Sequence, residues 1–324
     1  MDGFFGLALE NLGSPLILAF VLGVVAAFAR SELTFPEAAA KALSIYLLFA
    51  IGFKGGVSVA EHGIDFHLGS TLAAGIILSA GLPFIAFGLL RAMTRLDRTN
   101  AAVVAAHYGS ISIVTFVAGS SILETQGIAA EGFMVAVAAA MEAPAILSAL
   151  WLLSSGGKSR MDGALWREIL LNGSIVLLVG AFAIGMITGP DGLAEIEAFM
   201  VAPFKGALCL FLLDMGLIAG RGLRESRRLM TPGLLFFGIL MPLIGALFGA
   251  GAGVLLGLST GGVMLLMVLS ASASYIAVPA AMRVAVPEAD PAVYLTLSLG
   301  VTFPFNLILG LPIYLAVARA FTGG

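Results

Sequence analysis

The stretch YGSISIVT, from Tyr108 to Thr115, places a glycine, two serines and a threonine inside a long apolar run. A second stretch, LSASASYIAVP from Leu269 to Pro279, does the same about 160 residues later. At hydrocarbon depth, irregular polar backbone is stable only where it is buried in protein or lines a cavity. The two stretches therefore predict two interrupted membrane helices that meet at one small polar site.

The composition indicates an integral membrane protein. Of 324 residues, 60% are hydrophobic and only 11% are charged, which is too little polar surface to cover a soluble globule. Apolar runs of roughly 17 to 28 residues are long enough to cross a hydrocarbon core of about 30 Å as helices, which favours an all-α protein in a lipid bilayer over a β-barrel. The net charge of −3 without a basic tail gives no indication of a nucleic-acid partner. The lone Cys209 excludes an intrachain disulfide and a cysteine metal cage.

Hydropathy and helix punctuation predict ten transmembrane helices. They cover residues 14–30, 36–60, 69–91, 100–123, 131–154, 166–188, 195–221, 231–257, 261–285 and 291–319. The first thirteen residues, MDGFFGLALENLG, contain no lysine or arginine, so a cleaved signal with a basic start is a poor fit. We expect the first span to remain in the mature protein.

The loops alternate in basic content, which predicts orientation because short basic loops stay in the cytoplasm. One side holds Arg30, Arg91, Arg95, Arg98, Lys158, Arg160, Arg167, Arg221, Arg224, Arg227, Arg228 and Arg283. The other side holds little beyond Arg319 and Lys54. We therefore predict a multi-pass protein of the bacterial inner membrane with both termini periplasmic.

Three pairs of segments repeat in order along the chain. They are IGFKGG (Ile51–Gly56) with MGLIAG (Met215–Gly220), YGSIS (Tyr108–Ser112) with SASAS (Ser270–Ser274), and EAPAIL (Glu142–Leu147) with TFPFNL (Thr302–Leu307), at offsets of 164, 162 and 160 residues. Five spans per half is an odd number, so the halves would enter the membrane in opposite directions. We predict two inverted five-helix repeats, residues 1–157 and 158–324, each with a broken fourth helix.

The broken helices supply the candidate substrate site. Interrupted helices can turn hydroxyls, freed amides and helix-end dipoles toward one point. The predicted substrate-binding residues are Gly109, Ser110, Ile111, Ser112, Thr115, Ser272, Ala273, Ser274 and Tyr275. We also expect Ser112 and Ser274 to approach each other. The alternative is that these serines bond carbonyls one turn back or simply allow close helix packing.

Polar and charged residues at membrane depth are the candidates for cation coupling, because they are costly to bury without a function. The predicted coupling residues are Glu142, Ser270, Thr302 and Asn306. The alternative is that Glu142 is a protonated carboxyl bonded to the backbone carbonyl freed by Pro144, and both interpretations stay open. Asp214 is a weaker candidate, whereas Lys54 and Lys205 are expected to reach the outer surface, and His107 to be a hydrogen-bonded packing residue.

Two other function classes need consideration. An intramembrane enzyme would need more than the sequence neighbours His107, Ser110 and Ser112, because a serine nucleophile requires a positioned base and an oxyanion hole. The chain lacks GxSxG, HExxH and a pair of midplane aspartates. A channel is the other rival class, but duplicated broken helices suit alternating access better.

Several segments resemble the sodium-dependent bicarbonate transporters first known from cyanobacteria. The resemblance runs through GSPLILAFVLGVVAA, TFPEAAAKALSIYLLFAIGFKGG, YGSISIVTFVAGSSILETQGI, MEAPAIL and SASASYIAVPAAMRVAVPEADPAVYLTLSLGVTFPFNLILGLPIY, and it covers essentially the whole chain. It implies a ten-helix inverted repeat, a core domain moving against a gate domain, a homotrimer, and bicarbonate uptake by sodium symport. Some relatives also bind a cytoplasmic regulator of the PII type.

The sequence departs from this family at the predicted site. Ile113 and Val114 stand where the family has glycine and serine, and Tyr275 stands where an acidic residue is expected. We therefore predict a secondary transporter for a small anion, bicarbonate first, with sodium as the only ion it would need and no other cofactor. The alternative is a relative that carries another small anion, organic or inorganic, and is proton-coupled or sodium-independent.

Overall fold

The protein is all-helical in the part that the structure, a computed structural model, describes, which is residues 12–63, 66–154, 167, 171, 173–226 and 229–323. The predicted boundary between residues 157 and 158 lies outside this part, as do Lys158, Arg160, Arg227 and Arg228. Seven helical stretches of the described residues are long and apolar enough to cross a membrane. The chain is thus a multi-pass membrane protein.

Seven helices precede the first gap of more than two residues. They are α1 (Pro15–Phe28), α2 (Glu37–His62), α3 (Phe66–Met93), α4 (Arg98–His107), α5 (Ile113–Thr125), α6 (Met134–Ala140) and α7 (Glu142–Ser154). Helices α6 and α7 continue one another and form a single apolar stretch from Met134 to Leu153.

The remaining helices are α8 (Gly173–Met200), α9 (Phe204–Glu225), α10 (Pro232–Leu255), α11 (Thr260–Ala271), α12 (Ala277–Ala285), α13 (Pro291–Leu295), α14 (Phe303–Phe305) and α15 (Leu311–Thr322). Two π-helical segments, Thr296–Thr302 and Asn306–Gly310, join α13, α14 and α15 into one stretch. Such widened turns are frequent at functional sites.

The predicted start of the seventh span is wrong, whereas the predicted end of the sixth span, residue 188, directly precedes a break in helical geometry at Gly189. The seventh span is predicted over residues 195–221, but residues 195–200 belong to the segment of α8 that follows the kink at Gly189, and α9 begins only at Phe204. Gly189 takes φ 60°, and Pro190 then opens a new helical segment. Proline is well tolerated in the first turn of a helix, so the Gly–Pro pair ends the first segment of α8 and starts the second.

Helices α1, α2, α8 and α9 form one packed unit, here called the four-helix group. Its main contacts pair α2 with α8 and α9 with α1. A β-carbon at Gly56 of α2 would overlap the carbonyl oxygen of Phe182, and one at Gly216 of α9 would overlap that of Phe20. Both glycines belong to the repeated IGFKGG and MGLIAG segments, which therefore serve close helix packing.

The other helices form a second unit, here called the break group. Helix α10 packs on α11 and α3, while α3 packs on α4 and α7, and α11 on α15. The two groups meet where α9 contacts the Thr296–Thr302 segment and where α6 contacts α2 and α8. The interrupted helices lie inside the break group, and their inner residues are buried.

Candidate functional site

The first interruption lies between α4, which ends at His107, and α5, which begins at Ile113. Ser112 caps α5, because its hydroxyl oxygen accepts bonds from the Thr115 backbone N–H at 3.3 Å and the Thr115 hydroxyl at 2.9 Å. A serine in this position satisfies amides that the first helical turn leaves free. A β-carbon at Gly109 would overlap the Pro83 ring, so the chain can pass α3 at this point only with glycine.

The second interruption lies between α11, which ends at Ala271, and α12, which begins at Ala277. The Ser272 hydroxyl donates to the Leu269 carbonyl at 3.0 Å, and the Val278 N–H donates to the Ser274 hydroxyl at 3.4 Å. One serine thus closes the helix end before the break, and the other receives an amide of the helix after it. Ile111 and Ala273, the predicted apolar site residues, are buried within the two breaks.

Two hydrogen bonds join the two interruptions directly. The Ser112 N–H donates to the Ser272 hydroxyl oxygen, and the Ser274 N–H donates to the His107 carbonyl, both at 2.8 Å. The crossing of the two stretches is therefore present in the structure. The hydrogen-bonding partner of Ser112 is Ser272, whereas Ser274 pairs with His107.

The His107 side chain forms a further hydrogen bond across the crossing. Its Nδ1 forms a short bond with the Ser274 carbonyl, so Nδ1 carries the proton and donates. The ring stacks on Tyr294, with centroids 4.7 Å apart. His107 is a hydrogen-bonded packing residue, as expected, but its partner is the other broken helix. Nothing in the local sequence reveals that partner.

Five buried polar atoms of the described residues have no hydrogen-bond partner: His107 Nε2, Ser110 Oγ, Glu142 Oε2, Ser270 Oγ and Tyr275 OH. Buried polar groups are normally paired. Three of the five atoms belong to hydroxyls in or beside the two breaks, and none of those hydroxyls carries a charge. Such a set can donate to, or accept from, a small polar ligand.

The predicted coupling residues differ in how they are engaged. Tyr108 donates to the Thr302 hydroxyl at 2.6 Å, since Thr302 itself donates to the Gly238 carbonyl at 2.7 Å. The Asn306 amide donates to the Ala271 carbonyl at 2.9 Å and accepts from Tyr314 at 2.7 Å. Thr302 and Asn306 therefore hold protein groups in place.

Glu142 and Ser270 are the coupling candidates with unpaired atoms. Glu142 is only 4% exposed and is the first residue of α7. The residue before it, Met141, lies at the kink between α6 and α7, and its carbonyl accepts a hydrogen bond from the Ser79 hydroxyl. Asp214 is also buried on α9. Lys54 forms an ion pair with Glu124 at 2.6 Å.

The family follows from comparison with known proteins. A model of the Na⁺-dependent bicarbonate transporter superfamily matches residues 15–319, which is nearly the entire chain. The chain belongs to this superfamily. The resemblance seen in the sequence is therefore confirmed, and a search of curated proteins gave no match.

Membership decides the class of function. A member of this transporter superfamily is not an enzyme, so the neighbours His107, Ser110 and Ser112 are not a catalytic set. Bicarbonate transport is the activity that membership supports.

Among the cavities between the four-helix group and the break group, two lie beside the interrupted helices. The larger, about 600 Å³, is here called the Arg cavity and is lined by Arg221, Glu225, Tyr275 and Arg283 among others. The smaller, about 270 Å³, is called the Lys54 cavity and is lined by Lys54, Phe116, Glu124 and Glu131 among others. The Arg cavity reaches the second interruption at Tyr275, whereas the Lys54 cavity reaches α5 one turn beyond the first interruption.

Proposed function

We propose that the chain is a secondary active transporter that takes up a small anion, bicarbonate first, by alternating access. The observation that carries this proposal is the crossing of the two interruptions, with Ser112 bonded to Ser272 and His107 to Ser274. The unpaired hydroxyls of Ser110 and Tyr275 lie in these interruptions.

Electrostatics at the crossing suits an anion. Helices α5 and α12 begin at the crossing, at Ile113 and Ala277. The N-terminus of a helix favours negative charge. The segments 108–112 and 272–276 contain no charged residue. Neutral hydroxyls and free amides can bind a planar oxyanion without the desolvation cost of a buried counter-charge.

An inverted repeat of ten helices, in residues 1–157 and 158–324, would explain the pairing of helices. Helix α2 of the first half packs on α8 of the second, and α9 of the second half packs on α1 of the first. The corresponding segments IGFKGG and MGLIAG provide the close contacts on both sides. In this arrangement the four-helix group is the gate domain and the break group is the core domain.

The basic residues of the loops support a membrane orientation. We propose that the protein lies in the bacterial inner membrane with Arg95 and Arg224 in the cytoplasm and both termini in the periplasm. Single cysteines replacing Arg95, Leu229 and Gly323 in a Cys209→Ser background would test it. Labelling of the first two by an impermeant reagent from the periplasmic side would contradict the topology.

Sodium symport is the first candidate for coupling, on family membership. In the described part of the chain no three His, Cys, Asp or Glu side chains come together. A sodium ion would therefore rely mainly on hydroxyl and carbonyl oxygens, and Ser270 and Glu142 are the predicted coupling residues whose side chains have unpaired oxygens.

Proton coupling or sodium independence is the second candidate. Tyr275 stands in the second interruption where the family has an acidic residue, and Glu142 is buried without a charged partner among the described residues. Glu142→Gln separates the two, because it keeps shape and hydrogen bonding but cannot titrate. If uptake by Glu142→Gln keeps its full dependence on pH and sodium, Glu142 has no coupling role.

The decisive experiment is uptake of radiolabelled bicarbonate into proteoliposomes, with a sodium gradient, with a pH gradient, or with neither. We expect uptake with at least one gradient and strong loss in Ser110→Ala. Absence of uptake under all three conditions from protein that remains folded would contradict bicarbonate as the substrate, and other small anions would then be tried.

A homotrimer and a PII-type cytoplasmic partner stay predictions from the resemblance. The outer faces of α1 and α8 are apolar, with Leu22, Val25, Val176 and Ile187 exposed. Such faces suit lipid and suit a neighbouring copy equally well. Cross-linking in native membranes would distinguish the two.

A further inference from the structure

The Arg cavity differs in charge from the Lys54 cavity, although the repeated sequence places them in corresponding positions. The segments IGFKGG and MGLIAG contribute Lys54 to one cavity and Ile218 to the other at matching positions. By the same offset, Arg221 matches Val57. The repeated fold therefore does not require Lys54 or Arg221, because the corresponding positions of the other half hold the uncharged residues Ile218 and Val57.

The cation of the Lys54 cavity is neutralised. Lys54 pairs with Glu124 at 2.6 Å, and the second carboxylate of this cavity, Glu131, accepts from the Ser259 N–H at 2.7 Å and from its hydroxyl at 2.9 Å. An anion entering this cavity meets an ion pair and an additional carboxylate.

The cations of the Arg cavity are not neutralised in this way. Arg283 has no hydrogen bond or ion pair with any described residue, and Arg221 uses one nitrogen for the Leu33 carbonyl at 2.8 Å. The one carboxylate of the cavity, Glu225, lies 3.7 Å from Arg224, outside the cavity lining. The guanidinium groups thus retain donors in a fork that matches oxyanions.

The inner end of the same cavity is formed by Tyr275 of the second interruption. Tyr275 is only 9% exposed, its buried hydroxyl lies toward the Ser112 side chain at the crossing, and its ring is held edge-on against Phe303 with centroids 5.5 Å apart. Tyr275 and the two arginines, Arg221 and Arg283, line one space of about 600 Å³, which is far more than a single small oxyanion fills.

From these contacts we infer that the Arg cavity is a second anion site, a vestibule in which Arg283, assisted by Arg221, binds a small oxyanion before or after it reaches Tyr275 and the crossing. The inference rests on the proposed function for the identity of the anion, but the site itself is tested without transport. Arg283 is assigned as the residue that draws the anion to this side of the crossing.

The test places a reporter thiol in the cavity. Ile218 is 44% exposed and lines the Arg cavity, so Ile218→Cys in a Cys209→Ser background reports the local potential. Its reaction rate is measured in detergent with two thiosulfonate reagents of similar size, one carrying a sulfonate and the other a trimethylammonium group. The ratio of the anionic to the cationic rate depends on nearby charge.

We expect Arg283→Gln to lower this ratio by roughly three- to six-fold, the effect of removing one charge about 8 Å away in water with partial screening. Arg283→Lys should keep the ratio, because it retains the charge. Lys41→Gln is the matched control, since Lys41 is exposed on α2 and does not line the cavity, and it should change the ratio by less than about two-fold.

Protection by a probe anion completes the test. Potassium bicarbonate, compared with potassium gluconate at equal ionic strength, should slow the anionic reagent in the parent and in Arg283→Lys, but not in Arg283→Gln. A ratio or a protection that is insensitive to Arg283→Gln would overturn the inference. If the ratio and protection depend on Arg283 while proteoliposomes show no bicarbonate uptake, the vestibule stands and the proposed substrate fails.

Discussion

Ser272→Ala and Ser110→Ala should separate the serine that holds the crossing together from the serine that is free for a ligand. Both side chains are buried hydroxyls in or beside an interruption. Ser272 accepts from the Ser112 N–H and donates to the Leu269 carbonyl. Ser110 has no partner for its hydroxyl among the described residues.

The magnitude follows from these bonds. Ser272→Ala leaves the buried Ser112 N–H unsatisfied, which costs about 1–3 kcal/mol. The lost bond to Leu269 adds about 0.6 kcal/mol, the average for polar contacts between membrane helices. We therefore expect Ser272→Ala to lower the free energy of unfolding by about 1.5–3.5 kcal/mol, and Ser110→Ala to change it by less than about 0.5 kcal/mol.

Unfolding in mixed micelles titrated with sodium dodecyl sulfate, followed by circular dichroism, measures the stability difference, and proteoliposome uptake measures function. Ser110→Ala should reduce uptake at unchanged stability, whereas Ser272→Ala should lower both. Equal destabilisation by the two substitutions, or a change below about 0.5 kcal/mol for Ser272→Ala, would refute the assignment of the hydrogen bonds.

Three further predictions concern other contacts. Lys54 and Glu124 are partly exposed, so a double-mutant cycle with Lys54→Met and Glu124→Gln should give a coupling of only about 0.2–1 kcal/mol that vanishes in 1 M salt. Thr302→Val should lower the free energy of unfolding by about 1–3 kcal/mol because it leaves the buried Tyr108 hydroxyl without an acceptor. Adding Tyr108→Phe should recover part of that loss in the same unfolding titration. Asp97 caps α4, and a bond from the backbone N–H three residues later lowers the pKa of its carboxyl; Asp97→Ala should cost about 0.5–2 kcal/mol. Because this folded-state pKa lies below the unfolded value, the contribution is complete at neutral pH and is lost only as the pH falls through the acid range.

The sequence by itself determined the membrane class, the helical architecture and the places where two helices are interrupted. These features depend on local composition: apolar length, the small polar residues at 108–112 and 272–276, and the residue types that leave a backbone unable to continue as a helix. The superfamily was recognisable for the same reason, because its segments recur in order along the chain. The start of the seventh span at residue 195 is wrong, since residues 195–200 still belong to the second segment of α8 and α9 begins only at Phe204.

Only the tertiary structure decided what each polar side chain contacts. Ser112 bonds Ser272, and His107 bonds Ser274, although 160 or more residues separate the partners. Thr302 and Asn306 have the residue types of ion ligands, but their hydrogen bonds go to Gly238 and Ala271. The partners of a buried donor depend on which helices pack together and in which register, and a membrane sequence rich in alanine, glycine and serine carries little information about register.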